Sequence, residues 1–519
     1  MTATVQTDQT PAATRSKIKT IDELAAIAAD LRQAGKTLVH CHGVFDLLHI
    51  GHIRYFEQAR RLGDVLLVTL TGDRFVDKGP QRPAFPEQLR AEAIASLAGV
   101  DYVAINEWAT AEETLRRLRP HFYVKGAEFK ALGSDRTGKI GREKQVADEL
   151  GVTVAFADDI VFSSSNLINR YLSTFSEEVD SYLHLLRRRY SLEDVLAVLD
   201  RMASLKILVI GDTIIDEYQY CEAIGKSSKD PTLALRYQSS DLFAGGVLAV
   251  ANHVAHFARN LDLITVIGGV DSQELFIRQH LKSNIAPTFF VQPQAPTTVK
   301  RRFVDGYSFN KLLEIYVMDD SGLDQAQTEA LHELLEERLA GYDLVIAADF
   351  GHGAINPATR LLLAERAPFL AINTQANAGN RGFHTISKYP RAHYACIARH
   401  ELDLEVRDRQ GDLRRTMEGL RERMDCRAFT VTLGRSGCAV TAVGDRFVQV
   451  PSFSQKIVDR VGAGDAFFSV SAMAAALGVD IELLALIGSV AGSLAVETIG
   501  NKKAIDRQGM DKYITALMK

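Results

Sequence analysis

The sequence predicts an α/β chain of two doubly wound domains, each built on its own mostly parallel sheet. Three observations carry that expectation. Short, continuously apolar segments recur along the chain, as strands covered on both faces do. Helical stretches separate most of them, the alternation that marks βαβ units. The 519 residues fit one to three compact domains. With 46% hydrophobic and 24% charged residues the chain has enough apolar surface for sizeable cores, which excludes disorder of the whole. Average Gly (37) and low Pro (13) exclude a collagen-like or Pro-rich architecture.

The elements follow in order. Residues 1–17 are polar and Thr-rich and are expected to form a disordered tail. From Thr20 a helix with Ile21, Leu24, Ile27 and Leu31 on one face runs to a stop signal at Gly35. Strands are expected at 37–41, 62–73, 100–107, 121–126 and 152–159. Residues 167–204 read as helix after helix. These features divide the chain into a first domain at 18–175, a helical connector at 176–204 and a second domain at 205–519. Strands of the second are expected at 205–212, 262–269, 297–304, 311–317, 343–350, 369–375, 428–434 and 438–443. The apolar stretch from Phe467 to Val496 is broken by Gly478, Asp480 and Glu482, so it reads as two buried helices and not a membrane span.

Charge narrows the partners. Lys and Arg number 60 against 65 Asp and Glu, a net charge of −5, which argues against nucleic acid or a membrane surface as a global partner. The run Arg187–Arg189 stands beside Glu177, Glu178 and Asp180 and reads as a solvated helix face. The five cysteines are scattered without a C-x-x-C pair, so neither a disulfide framework nor a thiolate zinc site is expected. Without a hydrophobic leader, a reducing cytoplasm is the expected location.

The first chemical constellation is GVFDLLHIGH, after a strand and before a helix. His49 and His52 share one side of a helical turn whose N-terminus suits an anionic phosphate. Two imidazoles there can stabilise charge on an α-phosphate under attack. Gly43 opens the turn, and Gly51 admits close approach to the backbone. A third ligand for zinc is missing nearby. Lys125 ends a strand, where a mobile cation can meet phosphates. Ser163, Ser164 and Ser165 open a helix and can hold a phosphate with hydroxyls and N–H groups. Arg90 suits either phosphate pairing or fixing its helix to the sheet. Cys41 is expected to be a small buried residue, not a nucleophile.

The string resembles the nucleotidyltransferase superfamily that includes cytidylyltransferases, over about residues 20–175. RPAFPEQLR (82–90), YVKGAEF (123–129) and FSSSNLINRY (162–171) resemble further motifs of that family. The resemblance implies a Rossmann-like domain that binds nucleotide through Gly43, Phe45, Asp46, Gly51, Arg90 and Ser163–Ser165. It implies catalytic roles for His49, His52 and Lys125. Cys41-His42-Gly43 and Gly126-Ala127-Glu128-Phe129 depart from the family pattern, which leaves the base (CTP or ATP) and the sugar open.

The second constellation is VDRVGAGD (458–465), a Gly-rich turn before a long apolar helix. The N–H groups of Gly462, Ala463 and Gly464 can form an anion hole, and Asp465 can take a proton from an attacking hydroxyl. Phosphoryl transfer needs little more than positioning and charge neutralisation. The plain alternative is a helix-capping Asp after a glycine loop. The string resembles the signature of the ribokinase-like (PfkB-type) carbohydrate kinases, over about 205–515. GDTIIDEYQY (211–220), the pair Gly245-Gly246, TTVKRR (297–302), ADFGHG (348–353) and VTLGRSG (431–437) extend the likeness. It implies substrate contacts at Asp212, Asp216, Gly245, Gly246, Lys300, Arg302 and Asp349, and nucleotide contacts at Gly434 and Gly437. It also implies ATP with Mg²⁺, and a small β-sheet lid at 213–240 and 297–318 through which such kinases pair as homodimers.

The chain departs here too. Ala249 stands where the family has Asn, with Asn252 nearby as either a substitute or a structural amide. The Asn-x-x-Glu element falls on IARHELDLE (397–405), where Glu401 could still reach Mg²⁺ through water. Together the halves resemble bifunctional heptose-phosphate kinase/nucleotidyltransferases with the domain order reversed. That implies phosphorylation of a sugar or sugar phosphate and nucleotidyl transfer to it, or transfer alone with the kinase-like half a scaffold.

Overall fold

The computed structural model describes residues 12–76, 82–126, 139–157, 175–454 and 456–518. Contacts divide the chain into two compact units, parting between Ser176 and Glu177.

In the first unit, β1 (Ile18–Lys19), β2 (Leu38–Gly43), β3 (Val65–Thr71), β4 (Tyr102–Asn106), β5 (Phe122–Lys125) and β6 (Thr153–Phe156) form one parallel sheet in the order β1-β4-β3-β2-β5-β6. The winding reverses at β2, so a crevice opens beyond the carboxyl ends of β2 and β5. Apolar side chains cover both faces: Val39, Val68 and Val103 pack with Phe56 and Ile94, while Leu38 and Leu67 pack with Ile21 and Leu24. The helix Ile21–Gln33 starts where expected because Thr20 and Glu23 form a reciprocal capping box. The expected tail is corrected at its end. Ala12–Arg15 is helical, and the Lys17 amine donates to the carbonyls of Leu97 and Val100.

The second unit begins with helices Glu177–Arg189 and Leu192–Met202, which pack on it through Arg189–Glu482 and Asp200–Arg507 ion pairs. Its strands are β7 (Ile207–Lys226), β8 (Leu233–Gly246), β9 (Leu261–Val270), β10 (Ile285–Pro296), β11 (Val299–Asp305), β12 (Lys311–Val317), β13 (Leu344–Asp349), β14 (Leu370–Thr374), β15 (Ala392–Ala398), β16 (Cys426–Thr432), β17 (Cys438–Ala442) and β18 (Arg446–Val450). The main path is β10-β9-β7-β13-β14-β15-β16-β17-β18, parallel as far as β16 and antiparallel after it. The winding reverses at β7. The two apolar helices are Ala463–Ala476 and Ile481–Ala495, both largely buried. Among the described residues, no helix is long and apolar enough to cross a membrane.

β7 serves two sheets. Ile207–Asp212 pairs with β9 and β13, and from Thr213 onward the strand pairs with β8 and β11 instead. The outgoing half forms a lid in the order β8-β7-β11-β12. Sequence periodicity misses β8 because its outer half is solvent-exposed and lacks a buried face, and it also misses β10, β15 and β18. Gly246 ends β8 with φ +56°, and a Cβ there would stand 2.6 Å from the Asp212 carbonyl oxygen. Gly246→Ala is therefore expected to cost about 2 kcal/mol or more, read as a lowered midpoint in urea denaturation of the full chain.

Candidate functional sites

The first site lies at the β2–β5 switch point. His49 is the N-cap of helix Ile50–Arg60, and the Gly51 N–H donates to its Nδ1 at 3.1 Å. A ring nitrogen that accepts carries no proton, so the proton of the neutral ring sits on Nε2. Burial lowers the His49 pKa, favouring that neutral form. The His52 ring lies 4.0 Å from that of His49, centroid to centroid. The edge-on ring of Phe45 braces His52 at 5.5 Å. The two histidines therefore form one unit at a helix N-terminus, as their spacing predicted.

Lys125 reaches this edge from the end of β5. Its amine pairs with Glu143 Oε2 at 2.8 Å and lies 5.0 Å from the centre of the Tyr123 ring. Glu143 also accepts from the Ala111 N–H and the Tyr123 hydroxyl. Burial alone would raise its pKa. Lys125, His42 and these hydrogen bonds outweigh burial and hold the carboxyl down at about 2. Glu143 was invisible to sequence reasoning because it sits on a polar helix with no motif around it.

Several residues expected to contact nucleotide carry internal hydrogen bonds. The Asp46 carboxylate accepts from the N–H groups of Ala84 and Phe85 and pairs with Arg82 at 3.1 Å, fixing the 82–85 turn. Of the two roles open to Arg90, the contacts support fixing its helix to the sheet. Its buried guanidinium donates to the carbonyls of Phe85, Val44 and Thr71 and to Asp73 Oδ1. Phe45, at φ +49°, turns its ring onto Gly43, where a Cβ would meet it at 3.0 Å, so both residues shape the loop. The Gly51 N–H is already given to His49. Ser163, Ser164 and Ser165 lie outside the described residues. Cys41 is buried, and burial pushes its thiol up to about 12, as expected of an inert residue.

The second site lies beyond the carboxyl edge of the sheet in the other unit. Gly462, at φ +83°, is the N-cap of helix Ala463–Ala476, and a Cβ there would strike Asn501 Oδ1 at 2.1 Å. Gly464 faces open space, and Asp465 follows it, 6% exposed. Burial raises the Asp465 pKa, and the neighbouring Asp216 raises it further. Lys300 and a hydrogen bond from Gln375 oppose them, leaving it at about 7. The structure thus brings Asp216, Lys300 and Asp465 together from β7, β11 and the helix. Lys300 lies over the rings of Tyr316 and Phe350, and burial lowers its pKa against the pull of Asp216. Arg302 bonds Asp216 and reaches Glu314 at 3.0 Å. Gly245 leaves room for the Asp216 carboxylate, which a Cβ there would displace.

Other residues of this unit carry internal hydrogen bonds too. Asp212, expected to contact substrate, has its oxygens accepting the N–H groups of Phe350, His352 and Ala354 at 2.8, 3.3 and 2.9 Å. Asp349 likewise accepts from Gly351 N–H and the Tyr389 hydroxyl and meets His384 at 3.2 Å. Glu401 spends both oxygens on backbone, Oε1 on Ala376 N–H and Oε2 on Ala398 N–H. Among the described residues, no group of three or more His, Cys, Asp or Glu could hold a metal. Each Glu401 oxygen thus carries one backbone N–H at the position expected to reach Mg²⁺ through water. Asn252 is a structural amide that bonds the His280 carbonyl and the Lys282 N–H. Gly434 and Gly437 form the turn between β16 and β17, both at positive φ, and a Cβ on Gly437 would run into the Val450 carbonyl oxygen. Sequence reasoning assigned no role to Asp459, which accepts from Tyr218 (2.6 Å), Lys311 (2.7 Å) and Gly500 N–H (3.0 Å).

Comparison with known proteins follows this division. Residues 204–507 match the model of the pfkB family carbohydrate kinases, and residues 40–170 match the cytidylyltransferase-like model ahead of it. The bifunctional protein HldE of Aliarcobacter butzleri is 41% identical over 157 residues, covering 30% of this chain and 31% of the relative. That of Geobacter sulfurreducens is 36% identical over 168 residues, covering 31% and 32%. These matches lie in the N-terminal part, and the chain spans about a third of the length of these relatives. Phosphofructokinase-2 from Escherichia coli shares the fold of the second unit at a TM-score of 0.51 and 17% identity, covering 61% of this chain and 99% of that structure.

Two outcomes follow from the braces. Arg90→Met should destabilise the first unit by about 3 kcal/mol, measured by urea denaturation. Glu143 has a lowered folded-state pKa, so its stabilisation is complete above the unfolded value and is lost as pH falls from 4.5 towards about 2. Thermal midpoints of Glu143→Gln should fall less steeply with acid across that window than those of the parent.

Proposed function

Because the chain belongs to the pfkB family of carbohydrate kinases and carries a cytidylyltransferase-like domain ahead of the kinase domain, we propose that it is a bifunctional enzyme of nucleotide-sugar biosynthesis. One site phosphorylates a heptose-like sugar or sugar phosphate with ATP. The other transfers a nucleotidyl group from CTP or ATP to the sugar phosphate and releases pyrophosphate. The observation that carries the reading is Asp465, buried at the mouth of a glycine-led helix beside Asp216 and Lys300.

In the kinase step, Asp465 accepts the proton of the sugar hydroxyl as its oxygen bonds the γ-phosphorus. The bond from that phosphorus to the β-phosphate bridging oxygen breaks, and ADP leaves. The N–H groups of Gly462, Ala463 and Gly464 serve the transferred charge, that of Ala463 on leaving the Arg460 carbonyl, to which it donates at 3.5 Å. Lys300 and Asp216 orient the acceptor, with Arg302 holding Asp216. Mg²⁺ enters as part of the MgATP substrate, screening its phosphates. In the transferase step, a sugar phosphate oxygen attacks the α-phosphorus and pyrophosphate departs. The His49 Nε2–H and His52 stabilise the charge that develops, and Lys125, with Ser163–Ser165, holds the phosphates.

The lid supports a homodimer. Leu233, Tyr237, Leu313 and Ile315 are exposed on its strands, and Tyr307 at its tip is 97% exposed. A second reading, in which only the transferase turns over, is favoured by Ala249 and by the commitment of both Glu401 oxygens to backbone. Incubation with ATP, CTP and a panel of sugar phosphates, with ADP and pyrophosphate followed separately, decides between them. Asp465→Asn should lower ADP release by a hundredfold or more, and His52→Ala should do so for pyrophosphate release, on the order of general acid–base and electrostatic contributions. ADP release should also fall as pH drops below about 7, where Asp465 becomes protonated. Absence of ADP with every sugar would leave the scaffold reading standing.

A further inference from the structure

Asp465 has two carboxylate oxygens and, among the described residues, one side-chain donor. Gln375 Nε2 donates to Oδ1 at 2.6 Å. Gln375 follows the end of β14 directly, and its surroundings pin it. Its own N–H donates to the Asp349 carbonyl at 3.2 Å, the next N–H (Ala376) donates to Glu401 Oε1 at 2.8 Å, and the Asn377 amide donates to the Phe350 carbonyl at 3.0 Å. These contacts fix the backbone from which the Gln375 side chain extends, and its amide spends a donor on Asp465 Oδ1. A donor on Oδ1 restricts how the carboxylate turns and leaves Oδ2 without a side-chain donor among the described residues.

We propose that Gln375 is the positioning residue for Asp465, holding Oδ1 so that Oδ2 faces the incoming hydroxyl. This rests on the kinase reading of the site. It also gives the Asp349–Phe350 and Glu401 networks a task in the reaction, since they fix the segment that carries Gln375. The charged and titratable groups facing Asp465 are Asp216 from β7, Lys300 from β11, Cys396 from β15 and Glu401 from helix Arg399–Val406. Asp216 and Glu401 disfavour a second negative charge and Lys300 favours it. The Gln375 N–H favours the ionised carboxylate, so losing it moves the titration upward.

The test uses the full chain with ¹³Cγ-labelled aspartate. The Asp465 resonance is identified by its disappearance in Asp465→Asn, and its titration is followed in the parent, Gln375→Leu and Gln375→Glu. Gln375→Leu keeps the bulk without the donor and should raise the midpoint by about one pH unit. Gln375→Glu should raise it further, with two coupled steps. With a sugar phosphate that the parent turns over, the acid limb of kcat/KM should move up equally while KM for ATP holds. An unmoved midpoint and an unmoved acid limb in an active, folded variant overturn the proposal. Should Gln375→Leu fail to fold by circular dichroism, Gln375→Glu decides alone. Failure of the kinase reading looks different: the parent releases no ADP with any sugar, which removes the positioning role even where the midpoint moves.

Discussion

Parallel strands all end on the same edge of their sheet, and that single geometric fact organises both units. In each, the winding reverses once, at β2 and at β7, so neighbouring connections diverge and leave a crevice at the carboxyl ends. His49 follows β2 and Lys125 ends β5. Asp216 and Lys300 come just beyond that edge in the second unit, where β7 has passed into the lid. Chemistry-bearing side chains from distant stretches converge because the sheet delivers them there, and a helix starts beside each group, capped by His49 in the first unit and by Gly462 in the second.

The polar residues around each crevice divide into those that face it and those that hold it. Asp212, Asp349, Asp46 and Arg90 are buried with their polar atoms given to backbone or to side chains. A buried polar group left unsatisfied is costly, so loops that must keep a shape next to an open cavity are fixed by carboxylates and guanidinium groups that accept or donate several times. Asp465 differs. It takes a single side-chain donor among the described residues and sits among like charges, which leaves its proton affinity high for a carboxylate.

Much of this was legible from the amino-acid order. The central strands announce themselves as apolar runs, since both their faces are covered, and β12 falls on the expected residues 311–317. The pairs His49/His52 and Gly464/Asp465 were readable because local spacing at a helix start sets their geometry. Motif membership did not separate a residue that faces the crevice from a brace. Asp212 and Asp216 stand four residues apart in one string, yet one props the 350–354 turn and the other faces Lys300. Glu143 and Gln375 could not be read at all, because their importance comes from the partner they meet across the fold. β8 stayed hidden because its outer residues gain their pairing from β7 and not from an apolar face.

All five thiols are free and buried, Cys41 in the first unit and Cys221, Cys396, Cys426 and Cys438 in the second. Burial raises the pKa of Cys41, Cys426 and Cys438 to about 12, so these are neither accessible nor nucleophilic while the chain is folded. The molecule thereby carries built-in chemical reporters of its own opening. A maleimide or disulfide reagent that reacts with Cys41 alone marks the first unit as having come apart by itself, and the order in which the five sulfurs become alkylated tells which half gives way first.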